Sequence, residues 1–389
     1  MRGDPPTIFL SAAEASGDHH AAGLIHALRR RFPDAKFLGA AGPEMSAAGC
    51  ESILDLTQKA SMVAGPLANL RYYHRAVKQL QRAIREIHPD VFVPVDSPAL
   101  NWHLAKAAKA VGTPVMYYVA PQVWAWARWR IKKVRRLTDH VACILPFEEA
   151  YFRQRGVAAT YVGHPLFDSL PAQRQAGDCP DLIDAWRTGQ WRVALLPGSR
   201  PGEIKRHAPA LANTAEAIRR RWPEAKCTFT AVNARAVEQI RTHAGRDDLD
   251  IVAGQTETVL SEAHFAVAAS GTVTLSVAHF GVPMVILHRV GMFERILFRL
   301  LGRRLIHTKH LSLVNILAGR RIVPELMPWY GSEKQLLDAV MLCMDDIGWL
   351  TTTRRKLLDL TRPLPAANHR SAAENTADIV AEMMGKKKT

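Results

Sequence analysis

Short apolar, β-branched runs alternate along the chain with segments whose apolar residues recur at helical spacing. Residues 7–11, 36–40, 91–95, 114–119, 140–145 and 160–163 predict strands, and helical spacing fills 19–32, 71–88 and 98–111. Strands separated by helices predict βαβ units and a mostly parallel sheet. The pattern lapses over 169–190, a polar stretch with Pro171, Pro180 and Gly189 that reads as a linker. It restarts with strands at 192–196, 227–232, 251–253, 265–269 and 283–287 and a helix over 202–222. Two α/β domains of similar size are therefore expected, 1–168 and 191–365. A helix and a basic tail over 366–389 follow.

Hydrophobic residues make up 48% of the 389 and charged ones 22%, which excludes a mainly disordered chain. Fifty-one Lys and Arg against 36 Asp and Glu give a net charge of +15. Such an excess favours an anionic partner: nucleic acid, an acidic membrane face or a phosphorylated substrate. The five cysteines are scattered, without metal or redox spacing, and fit a reducing cytoplasm. No run approaches the ~20 apolar residues of a membrane span. The first residues lack the apolar stretch of a signal peptide.

Open parallel sheets bind ligands beyond the carboxyl ends of their strands. After the first strand comes Ala12-Ala-Glu-Ala-Ser-Gly-Asp18, where small residues and a helix start favour an anion, or where Ser16 or Asp18 simply caps the helix. Asp96 closes the strand at 91–95, as a helix cap or as a carboxylate available for general base work. The second domain opens with Leu195-Leu-Pro-Gly-Ser-Arg200, a turn whose amides, hydroxyl and guanidinium can converge on phosphate. It has neither the ending of a P-loop nor the spacing of a dinucleotide fingerprint. Ser270-Gly-Thr272 is a second turn of the same type, and two such turns suit a nucleotide diphosphate.

Three Trp fall within six residues at 124, 126 and 129, followed by Lys132, Lys133, Arg135 and Arg136. The pattern fits base stacking on a basic patch, a sugar-stacking wall, or a buried aromatic corner backed by a solvated helix. Two segments mix apolar and basic residues at helical spacing. One has Leu67, Leu70, Tyr73 and Val77 beside Arg71, Arg75 and Lys78, and the other spans 293–304. That composition suits a helix lying on an anionic bilayer, or a core helix with a charged outer stripe. No metal-binding motif is present, and Asp248-Leu-Asp250 precedes a strand, at the wrong end of a sheet for a metal-dependent transferase.

Taken in order, these segments resemble the lipid-A-disaccharide synthase family. The resemblance is carried by Ala13-Glu-Ala-Ser-Gly-Asp18, Asp96-Ser-Pro with Asn101, and Tyr118-Val-Ala-Pro-Gln-Val-Trp-Ala-Trp126. Leu145-Pro-Phe-Glu148, Gly163-His-Pro165, Leu196-Pro-Gly-Ser-Arg200, Ser270-Gly-Thr272 and Leu311-Ser-Leu-Val-Asn-Ile-Leu-Ala-Gly-Arg320 extend it over nearly the whole chain. Some positions depart from the family pattern: Ser276 stands where the family usually has a Glu in the helix after Ser-Gly-Thr, Ala99 and Leu100 where it has Asp and Phe, Val314 for its Pro, Pro328 for its Gln, and Met62-Val-Ala-Gly-Pro-Leu67 lacks its acidic residue.

The resemblance implies a B-type glycosyltransferase fold, two Rossmann-like domains facing a cleft. It implies a peripheral enzyme on the cytoplasmic face of the bacterial inner membrane, with an anionic membrane surface as a partner and a homodimer as an option. The donor would be UDP-2,3-diacylglucosamine and the acceptor 2,3-diacylglucosamine 1-phosphate, attacked through its C6 hydroxyl. Asp96 would be the base. Gly198, Ser199, Arg200, Glu203, Ser270, Gly271, Thr272, Asn315 and Arg320 would bind the donor nucleotide. Glu14, Ser16, Gly17, Asn101 and Trp124 would line the substrate site. Neither a cofactor nor a metal is implied, nor a nucleic-acid partner. Rivals are another nucleotide-sugar enzyme of this fold, such as an epimerase, and a binding protein without turnover.

Overall fold

The structure is a computed structural model, and it describes residues 5–57, 66–291, 306–366, 368 and 370–387. The chain forms two compact units, Met1–Asp168 with Leu364–Thr389, and Ser169–Pro363.

The first unit runs β1 (Thr7–Ser11), α1 (Ala15–Arg31), β2 (Lys36–Ala40), α2 (Pro43–Ala47), β3 (Glu51–Leu54), α3 (Pro66–Ile87) and β4 (Val91–Pro94). It continues through α4 (Pro98–Ala110), β5 (Met116–Tyr118), α5 (Ile131–Leu137), β6 (His140–Cys143), α6 (Pro146–Arg153) and β7 (Ala159–Tyr161). Two parallel sheets, β3-β2-β1-β4 and β5-β6-β7, meet at the bridges Phe92–Val115 and Val95–Tyr118. All seven strands thus present their carboxyl ends at one edge.

The apolar runs are continuous because both faces are covered. Ile8, Leu10, Val91, Val93 and Val95 pack against α1 and the C-terminal helix Ala372–Lys387. Phe9, Phe92 and Val115 pack against α3 and α4 on the other face.

The second unit begins after α7 (Leu166–Ser169) and holds α8 (Leu182–Thr188), β8 (Arg192–Leu196), α9 (Pro201–Arg221), β9 (Lys226–Ala231), α10 (Ala234–Ala244), β10 (Asp250–Ala253) and α11 (Thr256–Glu262). β11 (Phe265–Ala269), α12 (Val273–His279), β12 (Met284–Arg289), α13 (Leu313–Ala318), β13 (Glu325–Trp329), α14 (Glu333–Asp345) and α15 (Ile347–Thr361) follow. Its sheet is parallel throughout, in the order β10-β9-β8-β11-β12-β13.

Several boundaries differ from the hydrophobic pattern. Residues 169–190 are more than a linker. Leu182 and Ala185 of α8 enter the core, and the buried Arg354 guanidinium donates to the carbonyls of Pro180 at 2.6 Å and Gly281 at 3.1 Å. The C-terminal helix belongs to the first unit, where the Asp168 carboxylate accepts from the Ala372 amide at 2.9 Å and Asn375 donates to the Val162 carbonyl at 3.0 Å. α1 starts at Ala15, four residues before the expected start at 19. β3 and β13 are edge strands that the pattern did not predict, and β13 carries Pro328, a residue that an edge strand accommodates. The amphipathic helix expected over 293–304 and the side chains of Leu67 and Leu70 lie outside the described residues.

Candidate functional site

At the carboxyl edge of the first unit, Asp96 and Ser97 are consecutive residues in the left-handed region, with φ of 48° and 45°. Such a pair persists only where neighbours over-determine the backbone. Three bonds do so here. The Asp96 amide donates to the Tyr118 carbonyl at 3.1 Å, and the Asp96 carbonyl accepts from the Tyr117 hydroxyl at 2.7 Å and the Asn101 amide at 2.6 Å. The chain thereby turns out of β4 with the Asp96 side chain partly exposed at the edge. Asn101 is wholly buried and also accepts from the Ser11 hydroxyl, which ties the end of β1 to the same turn. Expected among the substrate-lining side chains, Asn101 instead has its amide engaged inside the protein and acts on the position of Asp96.

The loop after β1 lies beside this turn. Gly17 is buried, with its α-carbon hydrogen side 3.6 Å, measured as a Cβ would lie, from the Val95 carbonyl, while Ser16 is exposed and Glu14 half-buried. Glu14 occupies the N-cap position of α1. Neither Ser16 nor Asp18 caps that helix. The buried Asp18 carboxylate accepts from the amides of Gly42, Glu44 and Met45 at 2.9, 2.9 and 3.2 Å, which fixes the start of α2.

Trp124 also differs from expectation. It is buried, its indole N–H donates to Glu148 at 2.8 Å, and its ring meets Phe147 edge-on. It therefore offers no free face to a sugar; Trp126 and Trp129, 38% and 56% exposed, do. The other Glu148 oxygen accepts from the amides of Ile144 and Leu145 at 3.2 and 3.1 Å. Burial pushes the Glu148 carboxyl up to about 7, although these three bonds pull the other way. Glu148 thus latches the segment after β5 to the start of α6. Its spacing three residues after Leu145 is that of a helix cap, the signal by which the sequence could have flagged it.

In the second unit the turn after β8 requires a glycine. Gly198 has φ of 106°, and a Cβ there would lie 2.5 Å from a Glu203 carboxylate oxygen. That carboxylate accepts from the amides of Ser199 and Arg200 at 3.2 and 3.3 Å and pairs with the exposed Arg200 guanidinium at 3.2 Å. Glu203 therefore shapes the turn and is placed behind it, whereas Arg200 projects outward. The turn at Ser270, Gly271 and Thr272 lies beside it, since β11 neighbours β8 and the Ser270 amide donates to the Leu287 carbonyl at 2.9 Å. Ser276, four residues into α12, is buried.

Asn315 is fully buried and consumed. Its amide donates to the Val323 carbonyl and to Glu325, both at 3.0 Å, and its oxygen accepts from the amides of Ile322 and Val323 at 2.8 and 3.2 Å. It organises the 312–325 loop, and its side chain is not presented to a ligand. Glu325 also accepts from the Ser312 hydroxyl at 2.7 Å. Burial opposes its charge, but the bonds from Ser312, Asn315 and Leu311 outweigh it and leave its carboxyl below the usual range. Arg320 is exposed beyond the end of α13. His207, which the sequence did not single out, lies buried under the 197–200 turn.

Among the described residues no group of three or more His, Cys, Asp or Glu could hold a metal ion. What the two edges can do is bind an anion on amides and guanidinium in the second unit and present a carboxylate in the first.

Residues 8–348 match the protein family described as lipid-A-disaccharide synthetase. The lipid-A-disaccharide synthase of Geobacter metallireducens is 34% identical over 388 residues, covering 98% of both chains. Among solved structures, the Staphylococcus aureus MnaA–UDP co-structure superposes with a TM-score of 0.62 at 10% identity, over 98% of this chain and 96% of that one. The calicheamicin glycosyltransferase CalG4 gives 0.56 at 16% identity, over 99% of each. These likenesses establish the B-type glycosyltransferase fold.

Proposed function

The chain belongs to the lipid-A-disaccharide synthetase family and is a glycosyltransferase of lipid A biosynthesis; from that premise we propose that it joins UDP-2,3-diacylglucosamine to 2,3-diacylglucosamine 1-phosphate. The observation that carries this reading is the placement of the family motifs. They fall on the carboxyl-edge turns of two parallel sheets, a carboxylate on one and two anion-ready turns on the other. In the reaction the Asp96 carboxylate takes the proton of the acceptor C6 hydroxyl. The freed oxygen bonds to C1 of the donor sugar as the bond from C1 to the diphosphate breaks. UDP leaves with the electron pair, its charge met by the Arg200 guanidinium, the Ser199 hydroxyl and the amides of Gly271 and Thr272. The products are the lipid A disaccharide 1-phosphate and UDP.

Both substrates are anionic and diacylated, which calls for an anionic bilayer surface at the cytoplasmic face as the working place. The charge distribution supports this. Residues 66–138 contain thirteen Lys and Arg against three Asp and Glu, most of the net +15 of the chain. α3, α4 and α5, which pack in series on one face of the first sheet, carry most of them, and Trp126 and Trp129 lie in the same stretch. Interfacial Trp beside Lys and Arg is the composition of a bilayer contact. No helix among the described residues is long and apolar enough to cross a membrane.

The test is mass spectrometry of the product formed by the full chain from the two acylated glucosamine substrates on anionic vesicles. A disaccharide 1-phosphate with release of one UDP is expected. UDP release without the disaccharide, or no reaction, overturns the reading.

A further inference from the structure

On the reading that the second unit binds a UDP-sugar, we infer that Arg289 is a second cationic ligand of the diphosphate and that His207 is the positioning residue that keeps it in register with the 198–200 turn.

The His207 ring is wholly buried in the second turn of α9. Its Nδ1 lies 2.8 Å from the Pro197 carbonyl, and its Nε2 lies 3.1 Å from the Arg289 amide nitrogen. A carbonyl can only accept and an amide N–H can only donate, so Nδ1 carries the proton and Nε2 is bare. A second proton would set N–H against N–H, and burial pushes the imidazole down to about 4 in any case. The ring is a neutral strut of fixed tautomer.

This strut spans the strands that matter. In the order β8-β11-β12 it reaches from the turn after β8 to the end of β12, while the Ser270 amide ties the turn after β11 to β12 at Leu287. Three segments at one sheet edge are thus bonded together, two with anion-ready turns and the third with Arg289. The Arg289 guanidinium carbon lies 5.3 Å from the centroid of the buried Trp329 ring. The ring orients the cation without neutralising it. Among the described residues no carboxylate pairs with Arg289, whereas the Arg200 guanidinium has Glu203. A half-buried, oriented and uncompensated guanidinium, carried by a strand end that is bonded to two such turns, fits the second phosphoryl group of a nucleoside diphosphate.

Calorimetry of the full chain with uridine, UMP and UDP tests this, together with donor and acceptor kinetics. Arg289→Gln is expected to lose about 10- to 100-fold in UDP affinity, the scale of one hydrogen bond to a charged group, with uridine affinity unchanged. Arg289→Lys should recover part of the loss. His207→Leu fills the ring volume without its nitrogens. It should raise the donor KM at unchanged acceptor KM, and His207→Gln, which keeps a donor and an acceptor, should recover part. Nitrogen NMR of the wild-type ring should show the neutral Nδ1–H form between pH 5.5 and 8. Unchanged UDP affinity in folded Arg289→Gln overturns the role of Arg289. An imidazole titrating near pH 6.5, or equal losses toward uridine and UDP in His207→Leu, overturns the role of His207. A wild type that binds no UDP overturns instead the UDP-sugar reading on which both rest.

Discussion

The side-chain amide of Asn101 donates to the main-chain carbonyl of Asp96 at 2.6 Å and shares that oxygen with the Tyr117 hydroxyl at 2.7 Å. The relationship explains why a buried Asn stands in the first turn of α4. It keeps Asp96 in the left-handed conformation that lifts its side chain to the sheet edge. Asn101→Ala removes one of the donors and leaves the Ser11 hydroxyl without its acceptor. Turnover should fall by roughly 100-fold, the cost of displacing a catalytic group by about an ångström. Unfolding free energy should fall by about 1–3 kcal/mol, the cost of unsatisfied buried polar groups. Saturating kinetics and urea denaturation check both, and wild-type turnover in the variant would separate Asn101 from the placement of Asp96.

Asp96→Asn keeps the backbone bonds and removes the carboxylate proposed as the base. Turnover should fall by roughly 10²–10⁴-fold, the usual contribution of general base catalysis. UDP affinity should hardly change, because the nucleotide turns are in the other unit. Near-normal turnover would exclude Asp96 as the base.

The strands and the carboxyl-edge turns were legible in the sequence because doubly covered parallel strands are continuous apolar runs and their turns carry Gly, Ser and acidic residues. Asp96 and Arg200 stood out as candidates this way, two and four residues beyond the ends of β4 and β8. The residues that place them did not. Asn101 and Asn315 carry the same amide whether they meet a ligand or a carbonyl, and only burial with every donor and acceptor filled tells the cases apart. Glu203 read as a nucleotide ligand because it follows the turn, while its carboxylate in fact folds back on the Ser199 and Arg200 amides. His207 and Tyr117 act through partners 82 and 21 residues away, which no local spacing reveals.

The buried Glu148 carboxyl gives a pH signature. Its folded value of about 7 lies above its ordinary 4.5, so between these values the folded state binds more protons than the unfolded one. Its contribution to stability is therefore fully present below about pH 4.5 and is lost as pH rises toward 7. Glu148→Gln cannot titrate. The stability of wild type minus that of Glu148→Gln should fall across this window and be flat above about pH 8, as read by denaturant midpoints. The subtraction removes the opposite trend of the buried His164 and His207, whose lowered values add stability as pH rises. A difference that is flat throughout the window would mean that Glu148 is charged in the fold at all these pH values.

The exposed outer face of α5 should be part of the membrane contact. Lys132, Lys133, Arg135 and Arg136 are exposed, while Val134 between them and Leu137 after them are buried. Replacing the four cations by Gln removes charge without touching the packing. Each basic residue near an anionic surface is worth about 1 kcal/mol, so sedimentation with anionic vesicles should drop steeply and become nearly independent of salt. Neutral vesicles should show little change. Undiminished sedimentation of the folded variant would place the contact elsewhere.

Ser276 tests the donor site at a departure from the family pattern. It lies one turn into α12, the helix that starts from the Ser270–Thr272 turn, and is only 6% exposed. A carboxylate introduced there loses water and, without nucleotide, has nothing to replace it, so Ser276→Glu should lower the melting temperature of the free protein. When UDP binds, both ribose hydroxyls can donate to the new carboxylate, which a serine hydroxyl matches poorly. UDP should then bind more tightly by about 1–3 kcal/mol, the worth of hydrogen bonds to a charged group. It should also raise the melting temperature of the variant more than that of the wild type. If another side chain already holds the ribose, the carboxylate stays unpaired and close to the diphosphate, and like charges repel. Weaker UDP binding by a folded Ser276→Glu would therefore show that the ribose contact has been rebuilt elsewhere in the second unit, and tighter binding that Ser276 marks the place where it was lost.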